Sequence, residues 1–139
     1  MPKPGPETTL VKKMRDAGKA EYGHRLVTIK YHGDMMGEAG VSDLLCVLDG
    51  VFVACEVKSP LSSKHKRSTV EASVQHALDH GPTLKQRAFV ARVLQASGCG
   101  GFAATIDQFM EQLACAEQVS TGLHVCVGHN LRPFLETEG

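Results

Sequence analysis

What the chain lacks narrows its class before any motif is read. Fifteen lysines and arginines balance fifteen aspartates and glutamates. No net cationic field argues for nucleic-acid binding, so any such case rests on local clusters. No apolar run approaches the roughly 20 residues of a membrane-spanning helix. The leading MPKPGPETT has no apolar core after its lysine, which predicts no secretory signal and a cytoplasmic location. The five cysteines are odd in number and form no C-x-x-C pair. Reduced, mostly buried thiols are therefore expected, not a disulfide framework. There is no internal repeat and no low-complexity tract. At 139 residues, 42% hydrophobic and 22% charged, a single globular domain over residues 1–139 is expected.

What is present is concentrated between Val41 and Lys58, VSDLLCVLDGVFVACEVK. Two apolar runs flank Asp49-Gly50, a dipeptide suited to the positive φ angles of a two-residue hairpin turn. With that turn Leu48 faces Val51, opposed positions sum to a constant, and Asp43 falls opposite Glu56. Opposed residues of an antiparallel pair have Cβ atoms about 4.5–5.5 Å apart, where like charges are destabilising. Lys58 lies two residues past Glu56 and projects from the same face. Leu45, Val47, Phe52 and Ala54 share that face. Leu44, Cys46, Leu48, Val51, Val53, Cys55 and Val57 form the other, so cover by helices on both sides is expected. Two carboxylates and an ammonium at one end of an apolar hairpin break the pattern, marking a candidate site for a divalent cation. The same trio also fits a solvated sheet end with a salt bridge.

The flanking elements follow from periodicity and caps. Leu10, Val11, Met14 and Ala17 predict a helix from Glu7 to about Lys19, ended by Gly18 or Gly23, with Lys12, Lys13, Arg15 and Lys19 on its remaining surface. His24–Tyr31 reads as a strand, followed by a loop with three glycines. After Lys58 a serine-rich basic loop leads to a helix over Thr69–Asp79. Ser68 and Glu71 supply its capping box, and Val70, Val74, Ala77 and Leu78 line one face. Thr83 is expected to cap a second helix over Leu84–Ala96, with Leu84, Ala88 and Ala91 on one apolar flank and Phe89 and Val93 on the other. A buried strand over Gly101–Ile106 comes next. A helix capped by Asp107, with Phe109, Met110, Leu113 and Ala114 inward, and a short strand over Leu123–Val127 complete the chain.

This order, α-β-β-β-(α)-α-β-α, together with G-V-S-D-L-L, C-E-V-K and T-L-K-Q-R-A-F, resembles the PD-(D/E)XK nucleases. Within them it is most similar to the VRR-NUC group, related to Holliday junction resolvases and restriction endonucleases. The resemblance covers roughly residues 7–114, interrupted by an inserted basic loop and helix at 59–82. Ser42 stands where the family usually has proline, which changes turn stiffness and removes no metal ligand. The fold implied is a restriction-endonuclease-like three-layer α/β fold, a central mixed sheet flanked by helices.

The activity implied is Mg²⁺-dependent hydrolysis of DNA phosphodiesters, with Mn²⁺ as a substitute. Asp43 and Glu56 supply the one or two carboxylates that Mg²⁺ takes alongside several waters. The resemblance adds the backbone carbonyl of Val57 as a further ligand. Lys58 would orient or deprotonate the attacking water, or stabilise the pentavalent phosphate. By the same resemblance Gln86 would hydrogen-bond a metal-bound water or phosphate, and Glu7 would approach the metal. Glu7 equally suits the ordinary role of a favourable charge at a helix N-terminus.

Lys64, His65, Lys66 and Arg67, with Lys30 and the cationic face of the first helix, are candidates to follow a DNA backbone. A chain of this size favours recognition of branched or junction DNA over a long sequence. Symmetric junction cutting calls for a homodimer, and the helix over Thr69–Asp79 is the candidate dimer element. The alternatives are a restriction- or repair-type nuclease on duplex or flap DNA, and a non-catalytic nucleic-acid-binding module of the same fold. His124-x-Cys126-x-x-His129 fits no common zinc module, so an ordinary strand and loop are expected there.

Overall fold

The computed structural model describes residues 5–31, 40–60, 69–122 and 124–131. Its elements are α1 (Pro6–Tyr22), β1 (Leu26–Lys30), β2 (Leu44–Leu48), β3 (Val51–Val57), α2 (Val70–His80), α3 (Leu84–Gln95), β4 (Cys99–Ala103) and α4 (Ile106–Ser120). The hairpin forms as its dipeptide dictates. Asp49 and Gly50 take φ of +52° and +86°, the pair of positive angles that matches the right-handed twist of the flanking strands. Leu48 faces Val51 and Leu44 faces Cys55. Arg25, in a 3₁₀ turn where the strand from His24 was expected, reaches both Asp49 and Glu117. The tip is thereby tied to α4.

The sheet is open and mixed, in the order β1-β2-β3-β4. β1 runs antiparallel to β2, β2 antiparallel to β3, and β4 parallel to β3. The parallel step demands a crossover, which α2 and α3 provide. On one face Leu44, Cys46, Leu48, Val53, Cys55 and Val57 pack against Val11 and Met14 of α1 and Phe109, Leu113 and Ala116 of α4. On the other face Phe102 and Ala104 meet Ala77 and Leu78 of α2 and Val90 of α3. The result is a central sheet between helical layers. No helix among the described residues is long and apolar enough to cross a membrane.

Cover on both faces of the whole hairpin does not occur among the described residues. α3 overlies β3 and β4, and Val27, Ile29, Val47 and Phe52 are left exposed on that side. One short helix is too narrow to shield four strands. Several helix details also differ from expectation. Gly18 lies inside α1, where it admits the Leu26 side chain, and Gly23 ends the helix. Thr69, not Ser68, caps α2 by accepting the Ala72 N–H; Ser68 lies outside the described residues. Thr105, not Asp107, caps α4 by accepting the Gln108 N–H.

The apolar flanks assigned to α3 are corrected too. Leu84 is 68% exposed, Ala88 and Ala91 are exposed as well, and the buried positions are Val93, as expected, and Val90, which neither flank contained. On α4, Ala114 is exposed and Gln112 and Ala116 are buried. β4 begins two residues earlier than expected, leaving Ile106 to open α4. The strand over Leu123–Val127 is not formed among the described residues; a single parallel bridge joins His129 to Gly101.

The turn supplies the first test. A Cβ at a left-handed position costs roughly 1–2 kcal/mol, so Gly50→Val is expected to lower the unfolding free energy by that amount, read as a lower urea midpoint with an unchanged slope. An unaltered midpoint would show that the turn does not set the hairpin.

Candidate functional site

The register carries Asp43 and Glu56 to the same end of the sheet, as the pairing arithmetic requires. Asp43 donates its backbone N–H to Glu56 Oε2 at 3.1 Å, and Asp43 Oδ2 accepts the Val57 N–H at 3.2 Å. Each acid is thus held by the other's strand, one step beyond the last ladder pair. Glu56 is 1% exposed. Lys58 Nζ lies 3.6 Å from Glu56 Oε1, and the Lys58 backbone N–H donates to Ala103 O at 2.9 Å. The lysine stem runs beside Gly81 at the end of α2, where a Cβ would fall 2.8 Å from Lys58 Cδ. Asp43, Glu56 and Lys58 therefore converge as expected.

Gln86 joins them through a double use of one amide. Its Oε1 accepts the Thr83 N–H at 2.9 Å, while its own N–H donates to Thr83 Oγ1. This is a capping box at the N-terminus of α3, which satisfies two of that helix's orphan donors. The same side chain donates through Nε2 to Glu56 Oε1 at 2.7 Å. Gln86 accordingly meets the carboxylate itself, and it brings the positive end of α3 towards the acids.

Glu7 also reaches this end of the sheet. It accepts the Ser59 N–H and lies within electrostatic range of Lys58 and Asp43. Burial raises its pKa above the ordinary value, Asp43 adds to that, and Lys58 and the Ser59 N–H oppose it. Val57 turns its side chain into the core on the opposite face, so only its backbone can serve a cation.

Charge at the centre is under-compensated. Burial, and then the neighbouring Asp43 carboxylate, push Glu56 from 4.5 up to about 8, with Lys58 offsetting only part. A carboxyl in this position keeps its proton near neutral pH unless another positive charge arrives. What the arrangement offers is a set of oxygen donors suited to a hard divalent cation, flanked by an ammonium and a helix N-terminus.

Other expected residues are not brought in. Lys30 pairs with Leu44 and so projects on the α1/α4 face, whereas Asp43 and Glu56 project on the other. Lys64, Lys66 and Arg67 lie outside the described residues. A cleft of about 810 Å³ is lined by Lys12, Arg15, Lys19 and His24. It opens near the hairpin-tip end of β1, away from the acids. The face of α2 offered as a dimer element is taken up in the chain's own core through Ala77 and Leu78.

Of the ordinary strand and loop expected for His124, Cys126 and His129, the described residues form the loop, with one bridge at His129. His124 is exposed, but Cys126 and His129 stand beside Cys99 and Cys115. No spacing in the sequence signals that cluster, because its members come from three separate elements.

No protein-family model, curated protein sequence or solved structure matches the chain.

The Glu56 environment makes stability depend on pH in a definite direction. The folded state keeps a proton that the unfolded chain releases near 4.5, so metal-free stability is lost as pH rises from there through about 8. In chelator, the thermal midpoint is expected to fall across that window. Mg²⁺ or Mn²⁺ should raise it more at the upper end, because the cation competes with the proton. Glu56→Gln should flatten the profile and abolish the metal-dependent rise, separating this carboxyl from the histidines. Identical profiles for the two proteins would dissociate Glu56 from the effect.

Proposed function

We propose that the chain is a divalent-metal-dependent endonuclease of PD-(D/E)XK type that hydrolyses DNA phosphodiester bonds. The observation that carries this reading is the near-complete burial of Glu56 against Asp43, with Gln86 and Lys58 on its outer oxygen. A binding module has no use for two opposed carboxylates beside a phosphate. The element order and the mixed sheet accord with a restriction-endonuclease-like arrangement.

Asp43, Glu56 and the Val57 carbonyl fit a hard cation, since the set contains neither sulfur nor imidazole. A bound Mg²⁺, or Mn²⁺ in its place, supplies charge neutralisation at the phosphoryl oxygens and lowers the pKa of water enough for attack near neutral pH. The residues of the chain do the rest. Asp43 holds its carboxylate on the Val57 N–H, which keeps one oxygen directed to the site. Gln86 holds Glu56 in one rotamer through Oε1. Lys58 has three N–H donors and no acceptor. One turned to Glu56 leaves others to orient the attacking water or to meet charge developing on the phosphate. Glu7 adds a further acid at the rim.

Branched DNA cut by a homodimer is the proposed substrate class, on the strength of the resemblance to junction resolvases. The test incubates the chain with a labelled four-way junction, a flap and a linear duplex in Mg²⁺ or Mn²⁺. Paired symmetric nicks confined to the junction are expected, with a dimer on gel filtration. Lys58→Ala is expected to slow cutting about 10²–10⁴-fold, and Asp43→Asn to abolish it. Cutting of duplex or flap alone would keep the nuclease and replace the substrate. An absence of metal-dependent cutting on all three would remove the nuclease reading.

A further inference from the structure

At the opposite end of the β3–β4 pair, a second group of ligating side chains is gathered by residues that the acidic site does not use. Cys99 opens β4, Cys115 lies in the middle of α4, and Cys126 and His129 come from the extended segment that follows. Their donor atoms all lie within 4.8 Å of one another. Cys99 Sγ is 3.0 Å from Cys126 Sγ and 3.9 Å from His129 Nε2. Around a tetrahedral zinc, with Zn–S near 2.3 Å and Zn–N near 2.0–2.1 Å, neighbouring donors stand about 3.5–3.8 Å apart. The observed separations bracket that value.

We propose that Cys99, Cys115, Cys126 and His129 form a closed structural Zn²⁺ site that fastens the segment over 124–131 to the free edge of β4. Three thiolates and an imidazole are a soft donor set that selects zinc over Mg²⁺ or Ca²⁺. Four protein ligands leave no open position, which is the mark of a structural site. An iron–sulfur cluster interposes bridging sulfides and spreads its cysteines further apart. A disulfide joins its sulfurs at about 2.03–2.05 Å, and it would leave Cys115 and His129 together without a reason.

Two independent features support the assignment. The backbone N–H groups of Gly100 and Gly128 are placed to favour the Cys126 thiolate, the outer support that metal-bound ligands take from their surroundings. Apart from Leu131, which packs against the α2/α3 core, the segment has little apolar anchorage of its own. Val125 and Val127 are 77% and 82% exposed, while Cys126 between them is buried. It contacts β4 through a short set of hydrogen bonds: His129 N–H to Gly100 O, Phe102 N–H to His129 O, and Asn130 Nδ2 to Phe102 O. Gly101, at φ +154°, permits that approach, because a Cβ there would lie 2.2 Å from His129 O. A segment held by so few contacts gains from a strong local bond, and among the described residues it covers the outer edge of β4.

The test uses the full chain, expressed with zinc in the medium and purified without chelator. Elemental analysis is expected to find about one zinc per chain, lost in Cys126→Ser and retained in Cys46→Ser, which alters a cysteine outside the cluster. Because Cys126→Ser can fail to fold, Co²⁺ is exchanged into the unaltered chain and into His129→Cys. Tetrahedral ligand-field bands are expected in both, with stronger thiolate-to-cobalt charge transfer in His129→Cys. Hydrogen exchange at the Phe102 and His129 amides should accelerate when the metal is stripped. A metal-free protein whose melting is unchanged by added zinc would overturn the proposal. So would zinc retained by Cys126→Ser, iron with acid-labile sulfide, or the loss of two titratable thiols to a disulfide. The zinc content is also read in Glu56→Gln, so failure of the acidic site leaves this result intact.

Discussion

Repulsion between Asp43 and Glu56 is the constraint around which the rest of the structure is arranged, and burial is what enforces it. The two acids sit at the end of a hairpin whose opposite face carries Leu44, Leu48, Val53 and Val57, all fully buried. Each such side chain contributes roughly 1.5–3 kcal/mol by leaving water. A like-charged cross-strand pair costs about 0.2–1 kcal/mol at an exposed position, and more when one member is desolvated. The hairpin could relieve the repulsion by slipping one residue, but every buried aliphatic would then turn to the wrong face. The core outweighs the acids by several side chains to one. Glu56 responds by keeping its proton up to about 8.

The same end of the sheet draws support from elements that are far apart in sequence. Thr83 and Gln86 cap α3, and the capping amide also holds Glu56. Gly81 ends α2 and leaves space for the Lys58 stem. Ser59, two residues beyond β3, holds Glu7 of α1 through its backbone N–H. Each contact also serves the fold locally, as a cap, a helix end or a turn. That economy explains how a small domain can position five polar side chains without a dedicated scaffold for each.

Legibility of the structure in the sequence tracks the number of independent signals at each place. The hairpin was readable because turn chemistry and strand alternation both demanded one register, and Leu48 opposite Val51 follows from either. α3 was readable as a helix but not in its rotation. Leu84, Ala88 and Ala91 mimic an apolar stripe, yet Gln86 must face Glu56 and Val90 must face Phe102, so the stripe turns to solvent. The caps of α2 and α4 were displaced by one or two residues because Ser68-Thr69 and Thr105-x-Asp107 each offer two competent side chains. β4 was displaced because Gly100-Gly101 reads as turn chemistry, although here it serves close approach within a strand. The acids were legible for the same reason as the hairpin. The cysteine–histidine cluster was not, since only Cys126 and His129 are near each other in sequence.

On the functional and zinc readings proposed above, the chain keeps two chemically different sites on one pair of strands. Cys99 lies opposite Val53 and Phe102 opposite Glu56, three residues along, or about 10 Å at the rise of a strand. Oxygen donors gather at one end, and sulfur with imidazole at the other. Ligand type sorts the cations at the sulfur end, where Mg²⁺ does not compete with zinc. The two ends also differ in their effect on folding. Opposed carboxylates at the first destabilise the metal-free chain as pH rises, which is the ordinary cost of a preorganised reactive site. A closed zinc site at the second contributes binding free energy directly to the folded state. β3 and β4 run through both, so firmness at the cysteine end helps hold Glu56 where burial alone would rather exclude it.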